Sequence, residues 1–132
     1  MKVLPDTNAC IAVRRGHERA VARMAGVAPG DCVVSVVTVY ELFTGNAKCR
    51  ESERERAKVL RFLATVRVAA FDDAAARRAA QVRADLETAG KTCGPYDLLL
   101  AGHALALGVA IATNNVAEFS RVSGLQVEDW LA

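Results

Sequence analysis

The chain contains 132 residues, enough for one domain with a substantial buried core, and we expect residues 1–132 to form a single domain. Hydrophobic residues make up 52% of the sequence, which argues against intrinsic disorder. The formal net charge of +2 is too small to indicate a nucleic-acid-binding protein by itself, so any such role must come from the distribution of charge.

Neither a secretion signal nor a membrane span is predicted. Asp6 and Asn8 interrupt the opening segment before an apolar signal region can form. The longest apolar stretch, residues 98–112, is shorter than the ~20 residues needed to cross a bilayer. The cysteines form no C-x-x-C pair, which predicts free thiols and no structural zinc site; they are Cys10, Cys32, Cys49 and Cys93. We therefore expect a cytoplasmic protein without membrane association.

The first half of the chain is predicted to contain two strands and three helices. A short strand covers residues 2–5 and ends at the turn-forming sequence Asp6-Thr7-Asn8. β-branched residues predict a second strand at 32–35, and Ser35 then caps a helix that ends near Gly45. Between the two strands we expect two helices and a loop, at about residues 9–14, 17–25 and 26–31.

The second half is predicted to continue the alternation of helices and strands. Asp72 caps a long helix that ends at Gly90, and Pro95 opens a helix that ends at Gly108. The remaining strands are expected at residues 66–71, 109–112 and 126–128, and the remaining helices at residues 51–66 and shortly after residue 115. The apolar face of the helix at 51–66 is predicted to consist of Ala57, Leu60, Leu63 and Ala64.

Strands that alternate with helices predict an α/β fold, with a mostly parallel central sheet of four to five strands flanked by helices. Ligands of such sheets bind beyond the carboxyl ends of the strands. Asp6 and Asn115 each follow a predicted strand at this edge. Glu41 lies on the helix after a third strand, and Asp97 on the helix that precedes a fourth. The predicted topology therefore allows these side chains to share one cleft.

Three carboxylates lie in apolar surroundings where an unpaired charge would be costly: Asp6, Glu41 and Asp97. Each also has a local explanation, because Asp6 can cap a turn, Glu41 can face solvent and Asp97 can stabilise the first turn of its helix. Periodicity argues against an exposed Glu41, which shares a face with apolar residues and has Thr38 one turn earlier as a hydrogen-bond partner. If the three carboxylates meet, they form an oxygen-rich site for a hard cation.

Other polar patterns favour structural roles. Asn115 and Glu118 have the spacing of a helix-capping box. His103 is interpreted as a helix-packing residue that lies away from Asp97. The cations of the helix at 51–66 alternate with acids and indicate a solvated face rather than an RNA-binding track; they are Arg54, Arg56, Lys58 and Arg61.

The motifs resemble those of the PIN-domain ribonucleases, and within them the VapC toxins of bacterial toxin–antitoxin pairs. The segments that carry this resemblance are Leu4-Pro5-Asp6-Thr7-Asn8, Ser35-Val36-Val37-Thr38-Val39-Tyr40-Glu41-Leu42, Gly94-Pro95-Tyr96-Asp97, Ala101-Gly102-His103-Ala104, Thr113-Asn114-Asn115-Val116-Ala117-Glu118-Phe119 and Val127-Glu128-Asp129-Trp130. Their order and spacing agree with the family over the whole chain.

The resemblance implies a PIN-like fold and a metal-dependent endoribonuclease. It places the metal ligands and catalytic acids on Asp6, Glu41 and Asp97, with Mg²⁺ as the expected cofactor and Mn²⁺ as an alternative. The side chains expected to orient these ligands are Thr7, Asn8, Ser35, Thr38, Asn115 and Glu118. It also implies an RNA substrate such as tRNA, a homodimer, and a VapB-like antitoxin whose cationic segment occupies the cleft. Arg14 and Arg15 are candidates for binding the flanking phosphates.

One departure from the family pattern keeps other interpretations open. Many PIN domains carry a fourth acid where this chain has Asn115, and Glu118 is the nearest substitute. The missing acid favours an alternative, a degenerate PIN module that binds RNA or protein without catalysis. A phosphatase with a nucleophilic aspartate is disfavoured, because it requires an acid two residues after Asp6, where this chain has Asn8.

Overall fold

The structure is a computed structural model that describes residues 2–132. Its strands are β1 (Val3–Pro5), β2 (Val33–Ser35), β3 (Arg67–Ala69), β4 (Ala110–Thr113) and β5 (Val127–Asp129). β4 lies between β1 and β5 in one sheet, β2 pairs with β3 in another, and all of these pairings are parallel. A parallel bridge between Val3 and Cys32 joins the two sheets. The predicted α/β fold with four to five mostly parallel strands is therefore confirmed.

Seven α-helices surround the strands in the described part of the chain. They are α1 (Thr7–Arg14), α2 (Glu18–Ala25), α3 (Val36–Ala47), α4 (Ser52–Leu63), α5 (Asp73–Thr88), α6 (Pro95–Leu107) and α7 (Val116–Phe119), with a 3-10 turn at Pro29–Asp31. The predicted caps are confirmed at two helices, where the Ser35 hydroxyl accepts a hydrogen bond from the Val37 N–H and Asp72 accepts one from the Ala75 N–H. α6 ends at Gly108, whose φ of 70° favours glycine.

The main core lies between the sheet and the α5–α6 pair. β1 and β4 are buried along their whole length, as expected for parallel strands covered on both faces. Helices α5 and α6 approach so closely at Gly102 that an added Cβ would lie 2.4 Å from the Ala79 Cα. This contact fixes α6, and α6 carries Asp97 on its first turn.

Two local predictions are wrong. The buried residues of α4 are Val59 and Phe62, which pack with Leu42 of α3, whereas Leu60 is 47% exposed. The helix carries apolar residues on two sides, so the sequence pattern alone did not determine which side faces the core. The third strand is shorter than predicted, and Val68 on it is exposed because β3 lies at the free edge of the two-stranded sheet.

Two remaining expectations concern the cysteines and membrane association. All four cysteines are free thiols, as predicted: Cys10, Cys32, Cys49 and Cys93. Across residues 2–132, every helix is too short or too polar to span a bilayer.

Candidate metal centre

Asp6 lies where the carboxyl ends of β1 and β4 meet, and it is only 2% exposed. Its backbone N–H donates to the Ala112 carbonyl at 2.8 Å, which continues the pairing between these strands. The carboxylate caps α1, because Oδ1 accepts a hydrogen bond from the Ala9 N–H at 2.8 Å. Its other oxygen accepts one from the Thr113 hydroxyl at 2.5 Å. The predicted capping role is therefore present, and the cap holds the buried carboxylate in one orientation.

Glu41 is half-buried on α3, and a threonine from α1 fixes its carboxylate. The Thr7 hydroxyl donates to Oε1 of Glu41 at 2.6 Å. Thr38 lies 3.1 Å from the Thr7 hydroxyl oxygen, and it must be the donor in that bond because Thr7 has only one hydroxyl proton. The predicted contact between Thr38 and Glu41 is therefore indirect, since Thr7 lies between them.

Asp97 and Glu118 lie together, although they are 21 positions apart along the chain. One oxygen from each of these carboxylates and the Cys93 Sγ all lie within 4.8 Å of one another. Glu118 accepts hydrogen bonds from the Gly94 N–H, at 2.6 Å, and from the Asn115 side-chain amide. These bonds direct the Glu118 carboxylate towards the beginning of α6.

The predicted capping box at Asn115 and Glu118 is wrong. The Asn115 side chain makes no capping hydrogen bond to α7, and its backbone N–H donates to the Thr113 hydroxyl at 2.8 Å. The side-chain amide donates to Glu118 instead. The reason is that α7 is a single turn at the end of β4, close enough to the α6 N-terminus for Glu118 to reach the Gly94 N–H.

The carboxylates influence one another's protonation. Burial, together with the charges of Glu118, Asp6 and Glu41, raises the pKa of Asp97 to about 7. Burial also raises the pKa of Asp6, with contributions from Glu41 and Glu118, while its hydrogen bonds oppose that shift. Hydrogen bonds, first from Cys93, lower the pKa of Glu118. The three predicted acids and Glu118 therefore form one electrostatically coupled cluster.

Two other side chains that were expected to orient the metal ligands, Ser35 and Asn8, do not contact the acid cluster. Ser35 is fully buried, but its hydroxyl lies 2.8 Å from the His103 Nδ1 and does not contact an acid. The ring of His103 packs edge-on against Phe71 at 5.3 Å, which confirms its packing role. Asn8 is exposed on α1. Sequence reasoning missed Thr113, whose position at the end of a predicted strand beside Asp6 was the available signal.

Comparison with known proteins identifies the family. The PIN domain profile matches residues 3–125. A Shigella flexneri protein, tRNA(fMet)-specific endonuclease VapC, is 38% identical over 98% of both chains. The chain belongs to the VapC family of PIN-domain proteins. Ribonuclease VapC2 of Haemophilus influenzae is 30% identical over 99% of both chains.

Solved structures agree with this assignment to the VapC family. The DNA-bound VapBC structure from Salmonella typhimurium matches with a TM-score of 0.93 and 36% identity, over 98% of both chains. VapBC2 from Rickettsia felis, bound to a promoter DNA fragment, matches with a TM-score of 0.92 and 28% identity, over 98% of this chain and 99% of that one. These matches confirm the resemblance drawn from the sequence motifs.

The donor set of this VapC-family chain fits a divalent metal ion, on which PIN-domain nucleases generally depend. Carboxylate oxygens are the ligands that hard cations prefer. The raised pKa of Asp97 also favours metal binding. A bound cation would offset both the desolvation of the charged carboxylate and its repulsion by neighbouring acids. Cys93 adds a thiol to the cluster, and burial raises its pKa to about 12, so a neutral thiol faces the acids.

The two arginines expected to bind flanking phosphates differ in availability. Arg14 is largely buried and pairs with Glu55 at 2.6 Å, which commits its guanidinium to a contact with α4. Arg15 is exposed, and it lines the same cavity as Glu41. Only Arg15 therefore remains free to contact a substrate without breaking an ion pair.

Proposed function

We propose that this chain is a Mg²⁺-dependent endoribonuclease, the toxin of a VapBC-type toxin–antitoxin pair. It hydrolyses RNA phosphodiesters at the cleft formed by Asp6, Glu41 and Asp97. The observation that carries the proposal is that these carboxylates come from distant parts of the chain and lie close enough for the charges of Asp6 and Glu41 to add to the effect of burial on the pKa of Asp97. The names of the relatives, endonuclease and ribonuclease, support the same chemistry.

Each acid has a role that follows from how it is held. Asp6 and Asp97 would hold the metal ion directly, and Glu41 would hold it directly or through a water molecule. Bound Mg²⁺ supplies charge neutralisation at the phosphate, an activated water for in-line attack and stabilisation of the leaving 3′-oxygen. The hydrogen bonds to Asp6 and Glu41 fix the direction of their remaining lone pairs, which reduces the reorganisation needed for metal binding.

Glu118 takes the place of the fourth acid that many PIN domains carry at the position of Asn115. The Asn115 amide holds Glu118, and one oxygen of that carboxylate lies within 4.8 Å of an Asp97 oxygen. The chain therefore keeps an anionic donor at this side of the cleft, although a different residue supplies it. This weakens the argument for a degenerate module, which relied on the missing acid.

The proposed substrate and partners follow from the relatives. Two of them, at 38% and 35% identity, are named tRNA(fMet)-specific endonucleases, so initiator tRNA is the substrate to test first. Matching structures are VapBC complexes, which supports a VapB-like antitoxin as partner. Its inhibitory segment should be cationic where it meets the carboxylates. We further propose a cytoplasmic homodimer.

The decisive experiment measures cleavage of labelled initiator tRNA by the purified chain in Mg²⁺, and again after addition of EDTA. Cleavage should require the metal and be lost in Asp6→Asn and Asp97→Asn. Asp85→Asn, an exposed change on α5, is the control and should leave cleavage intact. Cleavage that persists in the first two variants would indicate a contaminating ribonuclease. RNA binding without any metal-dependent cleavage would favour the non-catalytic module.

A further inference from the structure

Two tyrosines connect the helices that carry two of the candidate metal ligands. Tyr40 on α3 immediately precedes Glu41, and Tyr96 on α6 immediately precedes Asp97. The two ring centroids lie 5.6 Å apart with the ring planes tilted by 50°, and the two hydroxyl oxygens are 3.2 Å apart. We call these two side chains the tyrosine pair. The hydrogen bond with Tyr40 raises the pKa of Tyr96, and the charge of Glu41 adds to that shift, which places the pair beside the acid cluster.

The rings of the tyrosine pair are accessible from solvent. Tyr40 is 55% exposed and Tyr96 is 41% exposed. Within residues 2–132, every phenylalanine and the tryptophan are buried or half-buried. A hydrogen bond between two exposed hydroxyl groups contributes little to stability, because water can replace either partner. Stability alone therefore does not account for two exposed rings beside the carboxylates.

We propose that the tyrosine pair stacks an unpaired RNA base next to the phosphate that is cleaved. This inference rests on the proposed function, because it adds a second contact to the same bound RNA. One sugar links each base to its phosphate, so a phosphate held near Asp97 brings a neighbouring base close to Tyr96. Aromatic rings bind bases through their faces, and every base has such a face. The pair thus positions the RNA with little preference for sequence.

Stacking on the tyrosine pair requires a base that is free of its own double helix. In a duplex both faces of a base stack on neighbouring bases, and enzymes that act on such a base must first extrude it. Loops and single strands already present unstacked bases, which proteins commonly bind with aromatic side chains. The tyrosine pair therefore favours cleavage within an unpaired segment of RNA.

The apolar surface around the tyrosine pair fits a base better than a protein partner. Val36 lies one turn before Tyr40 on the same face of α3 and is 41% exposed. With Tyr96, these are the large exposed hydrophobic side chains that α3 and α6 contribute within residues 2–132. A stable protein interface uses roughly 20–30 residues from each partner. A base, by contrast, is a flat group that two rings can cover, and the tyrosine hydroxyls can remain in water or bind a polar base edge.

The test uses short single-stranded RNAs with 2-aminopurine at one position at a time, because stacking on an aromatic ring quenches the fluorescence of this base. Every protein sample carries Asp6→Asn, so that the RNA stays intact and Asp97 is unchanged. We expect quenching at one position, next to the bond that the active chain cleaves. The double variant Tyr40→Leu and Tyr96→Leu should lose this quenching, and its Kd should rise roughly five- to 150-fold. Tyr40→Phe and Tyr96→Phe keep the rings and should keep both the quenching and the affinity.

Two controls separate stacking from a structural role. Val68→Ala removes an exposed hydrophobic side chain from β3 and should leave RNA binding unchanged. A duplex RNA of the same sequence presents no free base, so it should bind equally well to the unmodified tyrosine pair and to the leucine variant. Replacement that distorts the cleft would instead weaken the binding of both RNAs, and that result would overturn the proposal.

Three other results would also overturn the proposal. The first is the absence of quenching at every position when both tyrosines are present. The second is an affinity for single-stranded RNA that the leucine variant shares with the unmodified pair. The third is a leucine variant that binds RNA normally but loses a dimer in sedimentation analysis, which would assign the surface to a second copy of the chain. Failure of the unmodified chain to cleave RNA contradicts the proposed function alone, since quenching depends on binding and not on catalysis.

Discussion

Neutralising Asp97 should stabilise the metal-free protein, although we expect it to abolish cleavage. The pKa of this carboxyl is raised from 3.8 to about 7, mainly by burial and then by neighbouring acids. A shift of about three units corresponds to roughly 4 kcal/mol as an upper limit, at 1.36 kcal/mol per unit. Asp97 is only half-buried, and solvent screening reduces the gain to about 1–2 kcal/mol. Asp97→Asn should therefore raise the Tm of the metal-free protein by roughly 4–8 °C at pH 8.

The sign of the pH dependence follows from proton binding. Between pH values of about 4 and 7 the folded protein holds a proton on Asp97 that the unfolded chain releases. The metal-free protein therefore loses stability from this group as the pH rises through that interval. Asp97→Asn has no carboxyl to titrate, so the difference in Tm between the two proteins should be largest at pH 8 and disappear below about pH 4.

Thermal unfolding followed by circular dichroism, in EDTA at pH 4, 6 and 8, measures this difference. Asp85→Asn provides the control, because it removes an exposed charge on α5. Adding Mg²⁺ at pH 8 should raise the Tm of the unmodified chain and have much less effect on Asp97→Asn. A metal-free Asp97→Asn protein that is no more stable than the unmodified chain at pH 8 would refute the reasoning, because burial and the neighbouring acids would then not destabilise the charged Asp97 carboxylate.

Three further substitutions test the surroundings of the cluster. Glu118→Gln should lower the pKa of Asp97, which the pH profile of cleavage measures, and should reduce the rate of Mg²⁺-dependent cleavage at least tenfold. An unchanged pH profile and rate would show that Glu118 does not act on the acid cluster. Thr113→Val leaves an oxygen of buried Asp6 without its donor and should cost about 1–3 kcal/mol of unfolding free energy in urea, together with lower activity. Gly102→Ala places a Cβ 2.4 Å from the α5 backbone and should cost about 1–3 kcal/mol or more; stability equal to the unmodified chain would contradict the packing of α5 on α6.

Much of the fold is predictable because its signals are local. Ser35 and Asp72 precede helices and have the side chains that satisfy free backbone N–H groups, and both act as caps. Pro95 begins α6 and Gly108 ends it, as their backbone preferences require. The buried strands β1 and β4 are visible as short apolar runs. Each of these features depends on residues within one or two turns of one another.

What the sequence did not reveal depends on contacts between distant residues. The hydroxyl of Thr113 reaches Asp6 across 107 positions, and Glu118 reaches the Gly94 N–H across 24 positions. Spacing alone favours a capping box for Glu118, because a local hydrogen bond is the default when tertiary positions are unknown. The tertiary structure overrides that preference by bringing the α6 N-terminus next to α7. The sequence thus identified three carboxylates of the cluster, and for Glu118 it favoured a capping role while also naming it as the nearest substitute for the fourth acid.

The negative charge of the acid cluster should make RNA binding dependent on the metal ion. Asp97 is electrostatically coupled to three other carboxylates, and a phosphate brought among these four acids without a cation would be repelled by each of them. The net charge of +2 conceals this arrangement, since acids and bases nearly cancel over the whole chain. A divalent ion held among the carboxylates would offset this repulsion and allow a phosphate to approach. RNA should therefore bind more weakly in EDTA than in Mg²⁺, and equal affinities in the two buffers would contradict this electrostatic argument.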